Sequence, residues 1–450
     1  MSLLTPMMRT SPLTAWFSDA QRVQGMLDFE AALARAQVEC GLVPQAALTP
    51  ILETCRHENI DFAALGQAAA SAGNLAIPLV KQLTARVRER DEAAARYLHW
   101  GATSQDAIDT GFILQLRGAL AETESLLQSL LDALASQAQR YQDTVMPGRT
   151  WMQHALPVTF GLKLAGTLDA LLRWQTRLRE MRSRVLALQF GGAAGTLDSL
   201  KTQAPQVAIA LAKTLDLQLP DTPWHSQRDR LLEVGAWYAG VCGTLGKFAN
   251  DFSLLMQTEV AEVAEPVAEG RGGSSTMPHK RNPIACAAIL TAAQRTPGLV
   301  ATLYTGQIQQ HERALGGWQA EWETLPELMT LVGGALAQSE ALVRDMQVFP
   351  PKMRADLEIT HGLIMAEAVT LALAEFVGKA DAHHRIEALC RQALDTSCSL
   401  QSVLENDPQV SEHLSADRLT QLLDPTTATG SSALFVCQVV ARYKEQLHEC

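Results

Sequence analysis

Apolar positions recur along most of this chain at helical spacing, three or four residues apart. Alternating Val/Ile/Thr/Tyr runs of the kind that build strands are scarce. The pattern is clearest from Val158 to Leu188. There Leu164, Leu171, Leu178 and Val185 recur every seven residues, and Leu168, Trp174 and Met181 widen the stripe. That is the spacing of a helix-bundle seam. Four further segments share this character. No proline interrupts Asp109 to Gln142, enough for a helix of roughly 50 Å. Another run extends from Arg228 to about Val263, one follows Pro283, where proline suits a first helical turn, and one follows Leu325. Five long helices without an internal repeat of fixed period predict an all-α fold with a central elongated long-helix bundle.

Two breaks divide the pattern. One lies at Gly101-Ala102-Thr103-Ser104, before the first long helix. The other is Phe349-Pro350-Pro351, where paired prolines stop helix propagation. They predict three helical regions: an N-terminal one over 1–108, the bundle over 109–349 and a C-terminal one over 350–450.

Composition sharpens this picture. Of 450 residues, 47% are hydrophobic, ample for a core, while 19% are charged, a little below the usual share. A low charge fraction over long helices predicts that some helix surface is hidden between subunits. The net charge of −11 excludes nucleic acid and anionic lipid as partners, so an anionic substrate would need a locally positive site. Eight cysteines without a C-x-x-C pair predict reduced thiols in a cytoplasm. The start, Met1-Ser2-Leu3-Leu4-Thr5-Pro6, lacks the basic and apolar regions of a signal peptide. No eighteen apolar residues run unbroken, so no membrane span is expected.

Candidate chemistry lies where the helical pattern fails. The segment from Glu269 to Pro283 carries Gly270, Gly272 and Gly273, then Ser274 and Ser275, then Met277-Pro278-His279-Lys280-Arg281-Asn282. Glycines permit close backbone approach and a lid that orders on binding, and serine N–H groups with two adjacent cations suit an anion. A solvated connector would share that composition. Two other polar islands are His99-Trp100-Gly101-Ala102-Thr103-Ser104-Gln105-Asp106 and Gly148-Arg149-Thr150-Trp151-Met152-Gln153-His154. Thr103, Ser104 or Asp106 could equally cap the following helix.

These islands resemble the motifs of the fumarase/aspartase superfamily. Gly273 to Pro283 matches its long signature, Thr103-Ser104-Gln105-Asp106 its first motif and Arg149-Thr150-Trp151-Met152-Gln153 its second, in the same order. The resemblance implies an enzyme without cofactor or metal, and a homotetramer whose active sites each draw on three subunits. The seam from Leu164 to Val185 also looks more extensive than one subunit can cover. The implied chemistry is proton traffic at a carbon beside a carboxylate, through an aci-carboxylate that needs strong electrostatic support. Carried over residue by residue, Ser274 handles the carbon proton. Lys280 and Asn282 hold carboxylates. Thr103, Ser104, Thr150, Gln153, Ser275 and Arg281 contact the substrate, and His99 stands where a relative has an active-site histidine.

Two departures bear on the branch of the superfamily. Trp151 occupies the place of the lyases' second-motif histidine, which assists a poor leaving group. A carboxylate, ionised near pH 4, needs no such help. In addition, Trp318-Gln319-Ala320-Glu321-Trp322 replaces the Ser-Ser-x-Glu-Arg with which adenylosuccinate lyase holds a phosphate, although His311-Glu312-Arg313 is kept. Together with Leu188 to Thr196, these features resemble the cycloisomerase branch, implying lactonisation of a small tricarboxylate. An amine-expelling lyase and a structural relative without activity are the competing expectations. His154 is a weaker proton-carrier candidate, His383-His384 reads as surface, and the arginines from Arg173 to Arg184 as a solvated or intersubunit face.

Overall fold

The computed structural model describes residues 3–266, 272–273 and 276–448. Helix α1, Asp19–Glu39, begins at Ser18, whose hydroxyl accepts from the Gln21 N–H. The five long helices follow: α2 Ser104–Arg140, α3 Phe160–Val185, α4 Asp229–Leu255, α5 Ile284–Thr305 and α6 Gly317–Asp345. The chain is all-α. Its strands are confined to two small antiparallel pairs among the described residues: β1 Val145–Thr150 with β2 Gln153–Thr159, and β3 Val263–Ala264 with β4 Gln347–Val348.

Local chemistry sets the helix ends. Helix α2, 37 residues and about 55 Å long, starts five residues before Asp109 because Asp106 reaches back to accept from the Thr103 N–H at 3.0 Å. It crosses α1 where Gly25 meets Gly111; a Cβ on Gly25 would lie 2.5 Å from the Gly111 carbonyl oxygen. Helix α4 stops at Leu255, well short of Val263, and Ala261 turns left-handed (φ 49°) ahead of β3. Helix α6 begins at Gly317, not after Leu325, and runs through Pro326. Proline removes the hydrogen bond to the carbonyl four residues back, and that carbonyl, of Trp322, accepts from Arg22 at 3.5 Å instead. Pro350, expected to stop a helix, opens a short one, Pro350–Asp356, where its missing N–H costs nothing.

Leu164, Leu168, Leu171, Leu178, Met181 and Val185 of α3 are all buried within this one chain, and Trp174 is half-buried. The expectation that this seam needs other subunits to cover it is therefore corrected: the chain's own side chains close it. Helix α5 differs. Its most apolar 18-residue window has mean hydropathy 1.3 yet is only 33% buried, long and apolar enough by composition to cross a membrane although charged and polar residues interrupt it.

The described chain groups into two compact units. The first comprises residues 1–128, 173–246 and 288–337, the second 129–172, 247–287 and 338–450. Each of α2 to α6 runs from one into the other. A cluster in the second unit, including Val369, Leu373, Ile386, Leu400 and Leu419, forms a core of its own.

Candidate active site

In the first unit the first motif is built around Asp106, fully buried on the opening turn of α2. Its carboxylate accepts from the N–H groups of Thr103 (3.0 Å), Gly191 (3.0 Å) and Gly192 (2.9 Å), and lies 2.7 Å from Nε2 of the buried His225. Four partners saturate it, so it orders the junction of three chain segments. Asp106 is the helix cap that the sequence left open, and this leaves Thr103 and Ser104 half-buried at the helix start.

One turn on, Asp109 receives Arg228 at 2.7 and 3.0 Å, Trp318 Nε1 at 3.0 Å and Gln105 Nε2 at 3.1 Å. Arg228 also donates to Glu321 at 2.6 to 3.1 Å. Burial works to discharge Arg228, but the charges of Asp109 and Glu321 hold its pKa above the usual range. Burial likewise pushes Glu321 up; with three close contacts from a bidentate guanidinium, the geometry keeps the pair ionised. Trp318 is 4% exposed and T-stacked on Trp322, centroids 5.0 Å apart, so the segment matching the phosphate-binding stretch is packed with indole.

His99 has a left-handed backbone (φ 56°), and its Nδ1 is 2.5 Å from Oε1 of the buried Glu30. Burial favours the neutral ring, but Glu30, by charge and hydrogen bond, and Asp106 by charge, raise its pKa above the ordinary value. A proton on this imidazole is thereby stabilised.

In the second unit the second motif is the hairpin β1–β2. Residues Thr150 and Gln153 face each other across a two-residue turn of Trp151 (φ 51°) and Met152 (φ 65°). Positive φ at both turn positions is the geometry that suits the twist of a tight hairpin, here carried by residues that rarely adopt it. Trp151 is 98% exposed, and Thr150 and Gln153 are exposed beside it. At the hairpin's base Arg149 forks onto Glu262 at 2.8 and 3.0 Å, with the Glu262 side chain fully buried. Burial raises the Glu262 pKa and the neighbouring Asp356 adds to it, against the pull of Arg149. His154 is driven the other way: burial and the Arg149 charge lower its pKa, opposed by Asp356, and the ring is held neutral. Lys163 is likewise lowered by burial, with Asp251 at 3.8 Å pulling it back up.

The ends of the signature loop are tied together: the Asn282 N–H donates to the Gly272 carbonyl at 2.9 Å, Gly273 bridges Arg281, and the Lys280 N–H donates to the Met277 carbonyl. Arg281 donates to the Glu265 carbonyl at 2.5 Å and to Gln347 Oε1 at 2.9 Å. The Glu265 carboxylate accepts from the N–H groups of Ala285 and Cys286, at the first turn of α5, the end where a helix favours negative charge. Lys280 is exposed and Asn282 half-buried. Ser274 and Ser275, with Gly270 of the glycine cluster, lie outside the described residues.

Sequence reasoning missed Glu30, Asp109, His225, Arg228 and Glu321 as parts of this framework. Buried acids three apart on one apolar helix, Asp106 and Asp109, are the signal that could have found them. His383 and His384 are exposed, as read. In the arginine run, Arg179 and Arg182 grip Glu124, and Arg184 pairs with Glu233. Among the described residues no group of three His, Cys, Asp or Glu is placed to hold a metal ion.

Comparison with known proteins bears on this geometry. A family model described as lyase matches residues 7–298, and one described as adenylosuccinate lyase C-terminus matches 362–439. A 3-carboxy-cis,cis-muconate cycloisomerase of Pseudomonas aeruginosa is 54% identical over 433 residues, 96% of this chain and 94% of that protein. One of Bradyrhizobium diazoefficiens is 50% identical, covering 96% of each. The crystal structure of the 3-carboxy-cis,cis-muconate lactonizing enzyme from Pseudomonas putida superposes with a TM-score of 0.94 at 49% identity, covering 98% of this chain and 99% of that one.

Proposed function

The chain belongs to the lyase family, of the fumarase/aspartase type, and from that premise we propose that it is an intramolecular lyase closing 3-carboxy-cis,cis-muconate to 4-carboxymuconolactone, a step of protocatechuate breakdown. The similarity over nearly its whole length to enzymes of that name carries the reading. The burial of Trp318 in the place of a phosphate-binding serine favours it over adenylosuccinate chemistry.

The reaction needs little from a leaving-group acid. The attacking carboxylate is already ionised at neutral pH. As its oxygen bonds to the double bond, the π electrons move into the neighbouring carboxylate, forming an aci-carboxylate dianion. A proton then reaches the adjacent carbon. The groups proposed for this work are Ser274 as the proton carrier, and Lys280 and Asn282 on the carboxylate that gains charge. Thr103, Ser104, Thr150, Gln153, Ser275 and Arg281 are the remaining substrate contacts. His99, with its raised pKa and Glu30 behind it, suits a proton holder or a carboxylate partner, whereas the lowered pKa of His154 leaves its ring less often protonated and so less suited to carry the proton.

The proposed assembly is a homotetramer in the cytoplasm, in which the three motifs meet across subunits and the long-helix bundle 109–349 forms the shared core, flanked by the helical regions 1–108 and 350–450. The exposed apolar length of α5 and the bare Trp151 and Met152 support burial against other copies. Light scattering at about four times the chain mass is the expected result, and an active monodisperse monomer would refute it. The activity test is ultraviolet absorbance. The diene signal of carboxymuconate should fall on adding the protein. No loss, together with fumarate released from adenylosuccinate, would make it a C–N lyase instead.

A further inference from the structure

Against the buried cluster of Asp109, Arg228 and Glu321, the first unit holds a cavity of about 150 Å³ that none of the proposed substrate contacts lines. Its walls are apolar, formed by Met26, Ile108, Phe112, Leu231 and Leu325. An apolar space of this size accepts a benzene-sized body.

Two donors of its lining stand without adequate acceptors. The indole N–H of Trp322 is buried and unpartnered. Arg22, half-buried, has only the Trp322 carbonyl at 3.5 Å, and no carboxylate lies within ion-pair distance of it among the described residues. Burial lowers its pKa, though the charges of Asp19 and Glu323 partly restore it. The nearby carboxylates cannot serve these donors. Asp109 is committed to Arg228, Trp318 and Gln105, and Glu321 to Arg228. The buried indole donor left unmet is costly, and the half-buried guanidinium beside it, with one long hydrogen bond, gains from a charged acceptor. What the lining lacks is an acceptor carrying negative charge on a compact apolar body.

We propose that this cavity binds a small aromatic carboxylate, its ring among Met26, Phe112, Leu231 and Leu325 and its carboxylate accepting from Arg22 and the Trp322 indole. Neither donor belongs to the proposed catalytic groups, so the site stands or falls independently of the cycloisomerase reading.

Calorimetric titration of the full-length protein with benzoate tests it. Saturable binding is expected with Kd at or below about 1 mM. Benzamide keeps the ring and loses the charge, and should bind about tenfold more weakly, as should benzoate to Arg22→Met. Trp322→Phe keeps the packing and removes the N–H, and should weaken benzoate several-fold even if Arg22→Met does not fold. No saturation by benzoate would overturn the proposal. So would wild-type affinity in both variants, or benzoate binding abolished by Lys280→Ala while the cavity variants still bind it.

Discussion

Two of the three places that carry the family motifs are built on opposite principles. In the first unit, the motif at the start of α2 rests on buried charge: Asp106 has four partners, and Asp109, Arg228 and Glu321 close on one another. In the second unit the hairpin holds its charge only at the base, where Arg149 meets Glu262. It carries Trp151, Thr150 and Gln153 out on an exposed turn. Buried, satisfied charge resists rearrangement, because removing one partner strands the other in a medium that cannot solvate it. An exposed turn can be reshaped cheaply. The difference teaches that motif residues of one reaction need not share a role. Asp106 orders a backbone junction, whereas Thr150 and Gln153 stand exposed, and it is these that are proposed to meet the substrate.

The contrast can be broken most forcefully at Arg228. Arg228→Leu leaves Asp109 and Glu321 facing each other in the core, and a stability loss of about 3–5 kcal/mol is expected. Urea denaturation with an unchanged midpoint would show that the network is not what holds the first unit. Next in size is Ser274→Ala. Turnover of carboxymuconate should fall by about 10²-fold or more, with KM moving much less. Near-normal kcat in a folded variant would remove the loop serine from the chemistry.

A smaller effect separates two histidines, one beside each motif. His99 has a raised folded pKa, so its contribution to stability is complete below its unfolded pKa of about 6.5 and is lost as pH rises through the folded value. His154 has a depressed one, so its contribution is present above about 6.5 and is lost as pH falls through its folded value. Proton NMR should find His99 titrating above, and His154 below, a model imidazole. The reverse order would contradict the Glu30 charge as the cause at His99, and burial with the Arg149 charge as the cause at His154. Smallest of all is Trp151→His: steady-state kinetics should show no gain in lactonisation, and no fumarate should be released from adenylosuccinate. A faster enzyme would mean that the reaction does need an acid on the hairpin.

Much of this was legible in advance. The seven-residue recurrence from Leu164 to Val185 names the buried stripe of α3 residue by residue, because helical periodicity is a local property. The hairpin was not legible. Pro147 and Pro157 sit opposite each other in it, its turn is Trp-Met and not Asn-Gly, and its alternation is weak. The motif strings pointed to Thr103, Thr150 and Lys280, but could not say that Arg281 also donates to the Glu265 carbonyl and to Gln347.

What the sequence determined by itself is whatever depends on neighbours along the chain: an all-α class, helices where apolar residues recur, a polar loop ahead of Pro283, and a family signature that points to carboxylate chemistry. Tertiary structure alone decided which charges meet. Glu30 finds His99 across 69 positions, His225 finds Asp106 across 119, and Arg228 reaches Asp109 and Glu321 on two different helices. The physical reason is that an ion pair depends on distance in space and on the loss of water around both partners. Neither quantity is written in the order of residues, and both arise only when the helices have packed.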